Sequence, residues 1–104
     1  MGHMANYIAI IELHEAGNEE DFEQLDAAME ERQFSPQIRD DEGKAYWMPE
    51  GSYAIQNTEM VLKAAHDAAV GAAGESGFDF SIMVTSFEEC EWTNLTPVEE
   101  SEAK

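Results

Sequence analysis

The chain has 104 residues, with 23 Asp and Glu against 5 Lys and Arg and a formal net charge of −18 at pH 7. That is one domain's length, and a 43% hydrophobic share with five Phe, three Tyr and two Trp supplies the core that a disordered acidic tail lacks. No apolar run is long enough for a membrane helix, and five scattered cations cannot track a polyanion, which argues against a generic nucleic-acid binder.

Met1, Gly2 and His3 read as a vector remnant before a start at Met4. One domain is expected over residues 5–96 and an acidic flexible tail over 97–104. No basic stretch leads into an apolar one near the N-terminus, so no secretory signal is expected. Cys90, the single cysteine, fits a reducing, cytoplasmic setting.

Residues 7–13 are an Ile-rich, nearly unbroken apolar run and predict a central strand buried on both faces. Gly17 and Asn18 stop it. Asn18 is a good N-cap, and Glu19, Glu20 and Asp21 fill the first helical turn, where carboxylates favour the dipole. Phe22, Leu25, Ala28 and Met29 recur at helical spacing as far as about Gln33, opposite Glu23, Asp26, Glu30 and Glu31. Residues 34–39 predict a short strand, and 40–44 a turn with Gly43 at positive φ. An extended arm follows over 45–48, and a strand over 52–55 after the break at Pro49, Glu50 and Gly51. Thr58 is expected to cap a second helix over roughly 59–73, burying Val61, Leu62, Ala65, Ala68, Ala69 and Ala72, with Gly74 ending it. Phe78, Phe80, Ile82 and Val84 alternate on one face of a last strand.

The order β-α-β-β-α-β predicts an α+β, ferredoxin-like fold: an antiparallel sheet with two helices on one face. Alternation then directs Met83 and Phe87 to the uncovered face, a candidate dimer surface unless the C-terminal segment folds back over it.

The residues also resemble a family. Tyr7, Glu12-Leu13-His14, Asp21-Phe22-Glu23, Leu25, Ala28-Met29-Glu30, Phe34-Ser35, Ile38, Asp41-Glu42-Gly43, Tyr46 and Pro49 resemble the GhoS-like proteins in order and type. So do Val61-Leu62, Ala64-Ala65, Ala68-Ala69, Phe80-Ser81, Val84-Thr85, Trp92 and Leu95. The resemblance spans roughly residues 5–97. It implies a small ferredoxin-fold antitoxin of a type V toxin–antitoxin system, an endoribonuclease that cleaves the toxin's messenger RNA. His14 would then serve in acid–base chemistry, with Arg32 or Arg39 on the phosphate. The first helix departs from that expectation: seven acids stand against Arg32 alone, a surface that repels RNA over a Debye length of about 8 Å.

Other candidates are read against plainer roles. His14 sits near Glu12 and Glu15 at a strand end and is a general-base candidate or an exposed terminus. His66, between Lys63 and Asp67, reads as a solvated helix face. The acidic runs 40–42 and 88–91 lack calcium-loop spacing, and one Cys with two further His gives no zinc pattern, so no metal and no cofactor are expected. Glu89 and Glu91 beside Cys90 disfavour a thiolate nucleophile. Residues 71–77 have the glycines of a phosphate loop but lack its Lys and end a helix, so they read as a helix stop. Tyr46, Trp47 and Tyr53 lack adjacent cations and read as packing more than as base-stacking platforms.

The acid itself remains. A net −18 exceeds the magnitude of roughly 2–8 that solubility asks of a small domain, and it costs stability through self-repulsion. The chain is therefore expected to be a non-enzymatic acidic binding protein, a nucleic-acid mimic for the basic groove of a partner such as a CRISPR effector or another nuclease. The expected contacts are Glu19, Glu20, Glu23, Asp26, Glu30 and Glu31, with Asp40, Asp41 and Glu42. The alternatives are the endoribonuclease antitoxin and an acidic cytoplasmic dimer of a salt-adapted proteome.

Overall fold

The computed structural model describes residues 4–15 and 19–98. The vector remnant, the Asn18 cap and the tail from residue 99 lie outside them. Among the described residues the elements follow in the order β1 (Ala5–Leu13), α1 (Glu19–Glu31), β2 (Gln37–Arg39), β3 (Ala45–Trp47), β4 (Ser52–Thr58), α2 (Leu62–Gly74) and β5 (Phe80–Ser86). The fold is mixed α+β. β1 lies between β4 and β5 in an antiparallel three-stranded sheet, and β2 and β3 form a separate antiparallel pair. The extended arm is thus itself a strand, with Ile38 opposite Tyr46. A bridge from Ser35 to Ala54 sets the start of this hairpin beside β4.

Alternation along β1 decides the layers. Tyr7, Ala9, Ile11 and Leu13 are buried, and their neighbours across the sheet, Tyr53, Ile55, Phe80, Ile82 and Val84, join the same cluster. Leu25, Ala28 and Met29 of α1 and Ala65, Ala69, Ala72 and Ala73 of α2 close that cluster, so both helices cover one face. The alanines of α2 let its backbone lie close to the sheet. Val61 and Leu62, expected in its buried stripe, are 66% and 47% exposed. The reason is where α2 begins. Thr58 does not cap it: its hydroxyl accepts from the Met60 N–H in a local turn, while the Tyr7 hydroxyl donates to the Met60 carbonyl. The helix starts at Leu62 with Val61 as an N-cap that makes no side-chain hydrogen bond.

The helix exits differ from expectation too. Gly74 remains helical, and the positive φ falls at Gly77. α1 ends at Glu31, two residues early, because Gln33 turns left-handed at φ 71°. The Gln33 and Phe34 N–H groups donate back to the carbonyls of Glu30 and Met29, a Schellman closure with Phe34 packed in the core near Met29.

Among the described residues the other sheet face carries no helix. β1 is central but not buried on both sides: Ile10 is 45% exposed, opposite Met83 at 61%. Phe87 lies past the end of β5, where its N–H donates to the Asn6 carbonyl. From there the chain crosses to the β2–β3 hairpin. Trp92 packs on Tyr46 with ring centres 5.3 Å apart, and Pro97 bridges to Tyr46. Pro97 and Val98, the first two residues of the expected tail, are therefore anchored. No described helix is long and apolar enough to cross a membrane.

Candidate acidic interface

α1 buries one stripe and turns the other outward. Glu20, Glu23, Glu30 and Glu31 are exposed, and among the described residues none of the four enters an ion pair. Glu30 and Glu31 stand in the last turn, where the helix dipole disfavours carboxylates and where no basic residue offsets them. The Glu19 side chain lies outside the described residues. Arg32, the nearest cation, is held elsewhere. Its guanidinium donates to the Glu75 carboxylate at 2.6 Å and to the Ala28 carbonyl at 3.0 Å, tying the end of α1 to the end of α2.

Asp26 has a different position from its neighbours. It is half-buried and accepts a short hydrogen bond from the hydroxyl of Tyr53, whose ring is in the core. Burial, that hydrogen bond, and the charges of Asp26, Glu50 and Glu30 push the Tyr53 phenol far above its ordinary range. The Tyr53 hydroxyl thus bonds to one carboxylate of α1 and feels the charge of two more, Glu30 and Glu50. Beside them is a groove of about 310 Å³, with Glu23, Asp26 and Glu50 at its polar side and Phe22, Trp47 and Pro49 among its apolar walls. Gly51 fixes its base. Its φ is +86°, its carbonyl accepts from the Ile11 N–H at 2.8 Å, and a Cβ there would stand 2.5 Å from the Ile11 carbonyl oxygen.

Asp40, Asp41 and Glu42 occupy the β2–β3 turn. Asp40 is the turn's organiser: its side chain accepts from the N–H groups of Glu42 and Lys44. Asp40 and Asp41 line a second, open cavity of about 650 Å³ together with Arg39, Glu88, Glu89 and Glu91. Residues of the two acidic runs, distant in sequence, thus face one open cavity. Among the described residues no group of three or more His, Cys, Asp or Glu is placed to hold a metal ion. Cys90 is free and exposed on this rim.

The residues of the ribonuclease expectation are dispersed. His14 follows the end of β1, its Nε2 2.9 Å from the Ser81 hydroxyl and 3.9 Å from Glu12. Arg39 shares its cavity with Asn6 at the opposite end of β1, roughly 26 Å away at 3.3 Å per extended residue. Arg39 donates to the Gly43 carbonyl, and Arg32 is committed to Glu75. The aromatics pack: Tyr53 is buried, Tyr46 meets Trp92, and Trp47 is half-buried. Glu50, Glu88, Glu89 and Glu91 were not among the expected contacts. Their only sequence signal was acid beside a turn or a strand end, which does not tell which acids converge. The chain matches no protein-family model and no curated protein.

Proposed function

We propose that this chain is a non-enzymatic acidic binding protein whose α1 face occupies the basic, nucleic-acid-binding surface of a partner protein, a nuclease or CRISPR effector being the kind of partner that fits. We further propose that its scaffold is ferredoxin-like. The β5-β1-β4 order, the Ser35 bridge that extends it toward β2, and two helices on one face support that arrangement.

The observation that carries the functional reading is the spacing of unpaired acid along α1. Glu20 to Glu31 spans roughly 16 Å of axis, so the four exposed carboxylates stand about 5–6 Å apart on average. One DNA strand carries one charge per ~3.4 Å. The acid is costly where it stands, since like charges three or four residues apart repel and two of them oppose the dipole. Nothing in the packing of α1 calls for them. A basic partner would relieve that repulsion and be drawn in by it.

The test is capture from lysate at rising salt by the wild-type chain and by a variant with Glu20, Glu23, Glu30 and Glu31 changed to Lys. Basic nucleic-acid-binding proteins should be retained at about 0.05 M salt, released by about 0.3 M, and lost to the variant. Capture of the same proteins by both chains would refute the reading. The alternative, a GhoS-like endoribonuclease antitoxin, needs His14 with Arg32 or Arg39. Incubation with a mixed RNA pool decides it, since cleavage that disappears in His14→Ala would establish the nuclease and displace the mimic.

A further inference from the structure

The groove beside Tyr53 combines features that the acidic face alone lacks. Phe22, Pro36, Trp47, Met48 and Pro49 give it apolar walls, while Glu23 and Glu50 are exposed carboxylates on its edge. At about 310 Å³ it sits at the small end of ligand sites, which run roughly 300–1,000 Å³, so it suits a side chain better than a cofactor. It is also preformed. The Met48 N–H donates to the Pro36 carbonyl, the Ser52 N–H to Pro49, and Ile11 to Gly51. Asp26 is held by Tyr53, which leaves Glu23 and Glu50 as the carboxylates open to an incoming cation. The groove is continuous with the proposed interface, because Phe22, Glu23 and Asp26 belong to α1.

We infer that this groove receives an arginine side chain of the basic partner, its guanidinium stacked on Trp47 and paired with Glu23 and Glu50. The inference rests on the reading above and names the contact that would make it specific. Arginine fits where lysine does not. Its planar, weakly hydrated head can lie on an aromatic face and still donate in plane to carboxylates, and its methylene stem suits the proline and methionine walls. A lysine ammonium keeps its water and gains little from the ring. The outer carboxylates Glu20, Glu30 and Glu31 then steer the partner, and the groove selects it.

The experiment uses the full chain carrying Trp92→Phe, which leaves Trp47 as its only tryptophan. Two short peptides of equal length and charge, one arginine-bearing and one lysine-bearing, are titrated while Trp47 emission and affinity are followed. The arginine peptide should shift the emission and bind about tenfold tighter. Glu23→Gln with Glu50→Gln should abolish that preference while sparing most of the lysine peptide's affinity. Both positions are exposed, so the fold tolerates the changes. Equal binding with unchanged emission overturns the inference, as does a preference that survives the double variant. If equal binding is also weakened by Glu20→Gln, Glu30→Gln and Glu31→Gln, the acidic-face reading stands without the groove. If neither peptide binds at about 0.05 M salt, both fall.

Discussion

α1 and α2 are each 13 residues long and pack into one core against one sheet face, yet they solve the outer half of the problem differently. α2 balances its charge: Lys63 and His66 both approach Asp67, and Glu75 beyond its end meets Arg32. Among the described residues α1 leaves Glu20, Glu23, Glu30 and Glu31 unpaired. Inside, the contrast reverses. α1 contributes bulk through Leu25 and Met29, whereas α2 contributes closeness through four buried alanines. The fold therefore asks for shape from both helices and uses Asp26 of α1 to hold Tyr53, so it is the charge of Glu20, Glu23, Glu30 and Glu31 that calls for an explanation outside the fold.

Substitutions of opposite size should break the inner half of this contrast. Leu25→Ala leaves a cavity and should cost about 3–5 kcal/mol in urea unfolding. Ala69→Leu overfills the close approach of α2 and should cost about 1–3 kcal/mol. Neither should alter salt-dependent capture of a partner beyond what unfolding explains.

Tyr53 sharpens the boundary between α1's two halves, since its hydroxyl joins the core to Asp26 on the acidic side. Tyr53→Phe should cost roughly 1–2 kcal/mol at neutral pH. The wild type should also lose stability as pH rises past the ordinary phenol value of 10.0, because the unfolded chain ionises there while the folded one holds the proton. That contribution is fully present below the ordinary value. Unfolding followed against pH should show the alkaline decline reduced in the variant.

The helix exits give a smaller contrast. α2 reaches its left-handed residue at Gly77, whereas α1 forces Gln33 into that conformation. Gln33→Gly should therefore raise stability by about 1 kcal/mol, read as a higher urea midpoint with unchanged slope. Smallest of all, the Trp47 indole N–H is buried without an acceptor among the described residues. Trp47→Phe should be close to neutral in stability, since it removes an unsatisfied donor, while erasing any arginine preference of the groove.

Legibility followed the range of the interactions. The α1 stripe and the inner face of β5 are periodic patterns and were readable, and the unbroken apolar run of residues 7–13 pointed to a central β1. Exposure of Ile10 was not, because an apolar run does not say whether a second layer covers it. Thr58 has two local uses, helix cap and short turn, and the contact of Tyr7 with Met60, far off in sequence, favours the turn. Gly74 and Gly77 are equivalent by type, and only the geometry of the helix exit separates them. At the site, the acidic α1 face was legible as charge at helical spacing. Asp26's bond to Tyr53, the convergence of Glu50 with α1, and the cavity that residues 40–41 share with 88–91 join segments that no local signal connects.

β5 pairs with β1 along one side and, among the described residues, with nothing along the other. Its seven residues include neither Lys nor Pro, the guards that usually keep such an edge from recruiting a further strand. The molecule's overall repulsion takes their place: two copies approaching edge to edge each bring a net −18. That defence works through solvent and can be switched off by it. Adding salt, which protects most proteins of ordinary charge from electrostatic association, should here favour growth of strand-on-strand assemblies, and dilute buffer should keep the copies apart.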